Sequence, residues 1–183
     1  MKKYLLSCGL FLSLFARGQN VSYILSPNGL DAIKLGMSTT EVEKAIGGTL
    51  QLDIPDSAAQ KDSTLCKECT QYYKCKYKDL TLALTFFRHT MYEKTDYELA
   101  AIAAFPASAL VRTKSGIATG MSEKEFLNNC TGNGYRFVKM GADKKNSGYF
   151  FSDSLDMKSS KMLCATFTDS VLTQLMAVNM IGD

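Results

Sequence analysis

Cysteine is the residue type in this 183-residue chain with the widest range of chemistry, and six cysteines are present. Cys66 and Cys69 form a C-x-x-C pair, a spacing found in redox-active disulfides and in zinc sites. The pair lies in a polar loop before a predicted strand, whereas a redox pair of the thioredoxin kind lies between a strand and a helix. We therefore interpret it as a structural disulfide, with thiol-redox or metal-handling chemistry as the alternative.

The other residues able to do chemistry do not form a recognisable set. A zinc site would need a fourth ligand beyond the C-x-x-C pair and Cys75, and His89, expected in an exposed turn, is the only histidine. Haem attachment requires a histidine directly after the second cysteine, where this chain has Thr70. We expect no catalytic residue, no cofactor site and no metal site, and hence no enzyme.

The N-terminal segment has the three parts of a secretory signal peptide. Lys2 and Lys3 give a positive start, residues 5–15 form an apolar run, and small residues precede a cleavage site after Gly18. The run is shorter than the roughly 20 apolar residues of a membrane span. We predict an extracytoplasmic location, in the periplasm or secreted. A lipoprotein signal at Cys8 is the alternative, although this cysteine lies near the start of the apolar run.

Cleavage after Gly18 would remove three basic residues and leave 18 basic against 18 acidic ones. A mature chain without net charge or a basic stripe lacks the electrostatic footprint of a nucleic-acid-binding protein. No later segment reaches membrane-spanning length. The compartment expected for an exported protein is oxidising, so we expect two disulfides and one free thiol among the remaining cysteines. These are Cys66, Cys69, Cys75, Cys130 and Cys164.

A ten-residue motif occurs twice in the chain. Residues 33–42 and 117–126 share isoleucine, glycine, methionine, serine and glutamate at the same positions. In each copy a serine precedes a helical pattern and a glutamate follows three residues later, which is the sequence of a capping box. We therefore interpret these serines as helix caps rather than as nucleophiles, since no relay of histidine, lysine or aspartate accompanies them. The capping pairs are Ser38 with Glu41 and Ser122 with Glu125.

Each motif is followed by one short helix and a series of alternating strands. We predict helices over 39–46 and 123–130. Strands are predicted near 49–54, 72–78, 80–88, 96–105, 134–140, 148–152, 161–168 and 171–179. The pattern predicts an α+β fold of two similar halves, each a helical start plus about four antiparallel strands, with the helices on one face of the sheet. The predicted domains are a signal peptide over 1–18 and two repeats over 19–107 and 108–183.

The repeated I-x-x-G-M-S-x-x-E motif, followed in tandem by a capped helix and a small antiparallel sheet, resembles the β-lactamase inhibitor protein. It also resembles the small outer-membrane assembly lipoproteins (SmpA-OmlA-like proteins) that share its unit. Those are binding or scaffold proteins, so the resemblance implies a secreted bacterial protein without enzymatic activity. The motif is a structural cap, and the resemblance therefore transfers no contact residue to this chain.

Tyrosines on the predicted strands form the candidate partner surface, because tyrosine combines apolar area with a polar tip. A single sheet formed by both halves would leave a large uncovered face for a partner. We expect a secreted, non-enzymatic module that binds another protein or a cell-envelope component. The alternative is a thiol-redox or metal-handling protein, and ordinary packing is the competing interpretation of the tyrosines. The candidates are Tyr73, Tyr77, Tyr97, Tyr135 and Tyr149.

Overall fold

The computed structural model of the chain describes residues 22–53, 69–88, 96–141, 143, 145–152 and 160–180. Of these residues, 52% lie in strands and 14% in helices, and the strands form a four-stranded and an eight-stranded sheet. The prediction of an α+β fold is therefore wrong, because the protein is mostly β. The predicted signal peptide, Cys66 and His89 lie outside the described residues.

Strands outnumber helices in both halves of the described chain. The first half contains β1 (Tyr23–Ser26), β2 (Gly29–Leu30), β3 (Ile33–Lys34), α1 (Thr39–Ile46), β4 (Gln51–Leu52), β5 (Thr70–Tyr77), β6 (Leu80–Phe87) and β7 (Glu98–Ala104). The second contains β8 (Val111–Arg112), α2 (Glu123–Gly132), β9 (Arg136–Met140), β10 (Asn146–Ser152), β11 (Lys161–Thr168) and β12 (Val171–Asn179). The elements that the sequence predicted are present, with bounds that differ by no more than two residues.

The eight-stranded sheet is antiparallel throughout, as the alternating pattern predicts. Its order is β4-β5-β6-β7-β12-β11-β10-β9, so the four strands after each helix form one half of the sheet. The halves meet where β7 pairs with β12, with Ala103 opposite Met176 and Ala101 opposite Val178. A single sheet therefore runs through both copies of the repeat.

The four-stranded sheet consists of short strands that the sequence pattern did not predict. Its order is β3-β2-β1-β8, and β1 runs parallel to β8 with Tyr23 opposite Val111. Along β1 the buried Tyr23 and Leu25 alternate with the exposed Ile24, which is the two-residue period of a strand. This small sheet reaches the centre of the large one, because β1 and β2 both contact β12.

The two helices do not form the layer that the sequence predicted on the sheet face. Val42 is the buried residue of α1, and α2 buries Phe126 and Cys130. α1 contacts β3 of the small sheet, whereas α2 contacts β9 at the end of the large sheet. Helices of eight and ten residues depend on such tertiary contacts, because isolated helices of this length are unstable in water.

Both copies of the repeated motif are held by the same backbone hydrogen bonds. Gly36 N donates to Leu99 O, and Leu99 N donates back to Met37 O, both at 2.8 Å. The corresponding bonds of the second copy, also at 2.8 Å, join Gly120 and Met121 to Leu172. Each motif is thereby bound to the fourth large-sheet strand of its own half, β7 or β12, so the two copies are equivalent in structure as well as in sequence.

Both serines of the motif cap their helices. The Ser38 hydroxyl accepts from Glu41 N, and the Glu41 carboxylate accepts from Ser38 N at 2.8 Å. Ser122 and Glu125 make the same reciprocal pair, with Ser122 N at 2.9 Å from the carboxylate. The Ser38 amide is the main cause that lowers the pKa of Glu41, and the Ser122 hydroxyl is the main cause for Glu125. Both capping boxes are thus complete.

We expect Ser38→Ala and Ser122→Ala each to lower the free energy of unfolding by about 0.5–2 kcal/mol, because each removes the acceptor of an otherwise unpaired helix amide. The fold lowers the pKa of both capping glutamates, so the caps stabilise the protein above the ordinary carboxyl pKa of 4.5 and lose this effect as the pH falls through the lowered pKa. Urea denaturation at neutral and acid pH measures both effects.

The matched control for these caps is Thr40→Ala, an exposed position in the first turn of α1 that should leave stability nearly unchanged. A Ser122→Ala variant that folds with full stability but has lost partner binding would contradict the structural role. That result would instead assign chemistry to the serine.

Candidate interaction face

The large sheet has one face turned to the core and one turned away from it. The core side chains of β6 and β11 come from alternate positions, for example Leu82 and Leu84 on β6 and Leu163 and Ala165 on β11. Residues between them point to the opposite side, because successive side chains of a strand alternate. We call this opposite side the open face.

An apolar row crosses the open face at right angles to the strands. The pairing registers place its residues directly opposite one another from β9 to β5, and none of them belongs to the main core cluster on the other face, although Cys164 and Ala103 are themselves buried, 6% and 8% exposed. Neighbouring strands lie about 4.8 Å apart, so the row spans about 29 Å. In spatial order it is Val138, Phe150, Cys164, Met176, Ala103, Ala83 and Lys74.

The next row toward one end of the strands continues the apolar surface. It reads Met162, Val178, Ala101, Thr85 and Tyr72 across β11, β12, β7, β6 and β5. All five are half-buried, and in the first row Val138 is 52% exposed. Scattered apolar residues are ordinary on a surface, whereas two adjoining rows form a contiguous patch.

The β5 end of the open face is basic. Lys74 ends the apolar row, and its Nζ lies 4.9 Å from the ring centroid of Phe105, which is 52% exposed. The same ammonium group pairs with Asp53 at 2.9 Å. Lys76, on the same side of β5, donates to the Thr81 hydroxyl at 2.7 Å. A partner on this face would therefore meet apolar side chains at the centre and ammonium groups at one end.

The tyrosines that the sequence singled out do not lie on the open face. Tyr77 and Tyr149 are core residues, 6% and 3% exposed, and Tyr73, Tyr97 and Tyr135 pack against the core. Tyr77 and Tyr149 therefore serve packing, whereas a partner role for the three half-buried tyrosines stays a prediction. The residues that sequence reasoning missed are those on the other side of the same strands. The sequence signal for these residues was the alternation of side chains along each strand, which places Lys74 and Lys76 on the opposite face of β5 from Tyr73 and Tyr77.

Tyr149 also anchors α2 to the sheet through a polar cluster. Its hydroxyl donates to Glu123 Oε1 at 2.5 Å, and Ser147 donates to the same oxygen at 3.0 Å. Lys139 Nζ lies 3.5 Å from that oxygen. The hydrogen bond from Tyr149 is the main cause that lowers the pKa of Glu123, and burial is the main cause that raises the pKa of Tyr149. The cluster joins α2 to β9 and β10 on the core side.

The described cysteines do not follow the predicted pattern of two disulfides and one thiol. Cys75, Cys130 and Cys164 are free thiols, and all three are buried. Cys69 is disulfide-bonded, and none of these three is its partner. Burial raises the pKa of Cys75 to about 11 and that of Cys130 to about 12, and it also raises the pKa of Cys164. These thiols are poor nucleophiles at neutral pH, because the thiolate is the reactive form.

The metal and redox alternatives gain no support from the described residues. Across 22–53, 69–88, 96–141 and the later described stretches, no three His, Cys, Asp or Glu side chains are grouped to hold a metal ion. Cys66 lies outside these stretches, so its pairing with Cys69 stays a prediction.

A shallow cavity beside α2 also lacks the groups of an active site. Its volume is about 650 Å³, and Glu125 is the one ionisable side chain in its lining. That carboxylate is already occupied by the capping box, so this cavity has no acid–base pair. The other lining residues are Ala118, Thr119, Met121, Asn128 and Asn129.

Within the described part of the chain, no helix has the length and apolar character needed to cross a lipid bilayer. Comparisons with protein-family models, with curated proteins and with solved structures found no match.

Proposed function

We propose that this protein is a non-enzymatic, extracytoplasmic binding module that holds another protein or a cell-envelope component against its open face. The observation that carries the proposal is the apolar row from Val138 to Ala83, which crosses six strands on the open face and in which Val138 is exposed, Phe150, Met176 and Ala83 are half-buried, and Cys164 and Ala103 are buried. Apolar surface of this kind is costly to leave in water and is typical of interaction sites. The extracytoplasmic location rests on the predicted signal peptide.

The side chains of the row suit recognition better than catalysis. Met176 and the neighbouring Met162 have flexible, polarisable thioethers that adapt to different partner shapes. Ala103 and Ala83 are small, so a partner can approach the sheet closely at its centre. At the β5 end Lys74 is already paired with Asp53, so Lys76 is the charge that would favour an acidic group beside the apolar contact area of a partner.

The resemblance to the β-lactamase inhibitor protein is part of this proposal. It is supported by the two copies of the motif and by their identical hydrogen bonds to Leu99 and Leu172. Both features concern the scaffold. In this proposal the side chains of the open face determine which partner binds.

The test begins with capture of binding partners from the native envelope and continues with affinity measurements on the purified pair. Met176→Glu places a charge at the centre of the apolar row and should weaken binding about tenfold or more. The matched control is Ile24→Glu, which adds the same charge at an exposed apolar residue of the small sheet. We expect this control to bind like the wild type.

Urea denaturation of both variants separates a binding defect from a folding defect. If Met176→Glu folds and binds with unchanged affinity, the open face is not the interaction site. If the wild-type protein and the Ile24→Glu control capture no partner in common, the binding function itself is refuted.

A further inference from the structure

The two edges of the large sheet differ in length. At one edge β4 consists of Gln51 and Leu52, whereas at the other β9 runs over five residues. β9 pairs with β10 through an unbroken register, and no other described strand pairs with it. Its Phe137 is 39% exposed and its Val138 52%. An edge strand of five residues with exposed apolar side chains presents unpaired backbone groups to a further strand.

We propose that two copies of this protein pair edge to edge through β9, antiparallel about a two-fold axis at Val138. Each Val138 then lies opposite the Val138 of the second copy. Phe137 lies opposite Lys139, and Arg136 lies opposite Met140. Two eight-stranded sheets become one continuous sheet, and their open faces lie on the same side.

The side chains of β9 complement themselves in this register. No charge faces a like charge, because Arg136 meets a methionine and Lys139 meets a phenylalanine. The Lys139 ammonium group already lies 5.4 Å from the ring centroid of Tyr149, and it would gain the Phe137 ring of the second copy as another cation–π neighbour. The Lys139 ammonium group also forms an ion pair with Glu123 at 3.5 Å. Its charge therefore opposes pairing with a further strand less than the charge of an isolated lysine would.

The difference between the edges favours a closed dimer. A head-to-tail assembly would pair β9 with β4 of the next copy, and β4 offers only two residues. Pairing of β9 with itself uses the full five-residue strand on both sides. β9 also contains no proline and no bulge, which are devices that protect edge strands.

The first test is the oligomeric state of the purified protein by sedimentation over a range of concentrations. We expect the wild type to dimerise and Val138→Asp, which sets two carboxylates opposite each other, to raise the dimer dissociation constant about tenfold or more. Leu52→Asp puts the same charge on the opposite edge and should dimerise like the wild type. A wild type that stays monomeric at its highest soluble concentration overturns the proposal, as does equal weakening by both variants.

The second test fixes the register by disulfide cross-linking. Directly opposite residues of antiparallel strands have Cα atoms about 4.5–5.5 Å apart, within the range that a disulfide spans. Val138→Cys should therefore form a covalent dimer under mild oxidation, whereas Met140→Cys should not, because its counterpart in the second copy lies opposite Arg136. Cross-linking at position 140 but not at 138 refutes this register. The measurement needs no knowledge of the partner on the open face, so its failure would leave the proposed function standing.

Discussion

Phe126→Ala should lower the free energy of unfolding by about 3–5 kcal/mol. Phe126 is fully buried and is the large apolar anchor of α2. Its ring centroid lies 5.2 Å from each of three other aromatic rings, so the substitution leaves a cavity that rigid neighbours cannot fill. These rings belong to Tyr149, Phe151 and Phe167. The expected loss is a large part of the total stability of an ordinary domain, about 5–15 kcal/mol.

Urea denaturation followed by circular dichroism measures this loss. Leu127→Ala is the matched control, because it truncates the next residue of the same helix at a half-buried position. It should cost clearly less than the Phe126 variant. Equal stability of the two variants would mean that α2 is not held to the sheet by Phe126.

Gly29→Ala should destabilise the protein by at least about 2 kcal/mol, because glycine is needed there for two independent reasons. Its φ of +135° lies in a region that other residues avoid. A Cβ at this position would also lie 2.1 Å from the carbonyl oxygen of Ile33 and 2.9 Å from the Cα of Lys34. Both are backbone atoms, so β2 and β3 would have to separate.

Gly132→Ala is the informative control for this prediction. Gly132 is the last residue of α2, has no positive φ and has no neighbouring atom within 4 Å of an added Cβ. Alanine there should stabilise the protein by about 0.4–1 kcal/mol, because it restricts the unfolded chain. Thermal or urea unfolding of the two variants should therefore shift in opposite directions. A Gly29→Ala variant as stable as wild type would show that β2 and β3 are not packed as described.

Local signals predicted the helices and long strands well. The serine and glutamate of each motif predicted the start of α1 and α2, and β11 and β12 lie at the predicted bounds. The small sheet was missed because β2, β3 and β8 have two residues each, too few to show a period. Their pairing depends on residues far apart in sequence, such as Tyr23 and Val111.

The side of the large sheet that is turned away from the core was also beyond local reasoning. Alternation shows that Tyr73 and Lys74 lie on opposite faces of β5, but it does not show which face the small sheet covers. A tyrosine suits a core as well as an interface, and here Tyr77 and Tyr149 are core residues, whereas the other three candidates are partly buried against the core. The prediction of two disulfides was wrong for a similar reason. Cys75 lies on the core side of the sheet and Cys164 on the open face, so no disulfide can join them.

The pairing of β7 with β12 at the centre of the large sheet also has a consequence for biosynthesis. β7 is made long before β12, yet the two lie side by side in the middle of the sheet. Until β12 emerges from the ribosome, both β7 and β11 keep an unpaired edge, and Leu99 and Ile102 of β7 lack part of their packing. Truncation before β12 would therefore not release an intact first repeat. It would leave a nascent chain with two unpaired strand edges, so the large sheet is completed in a single late step rather than one repeat at a time.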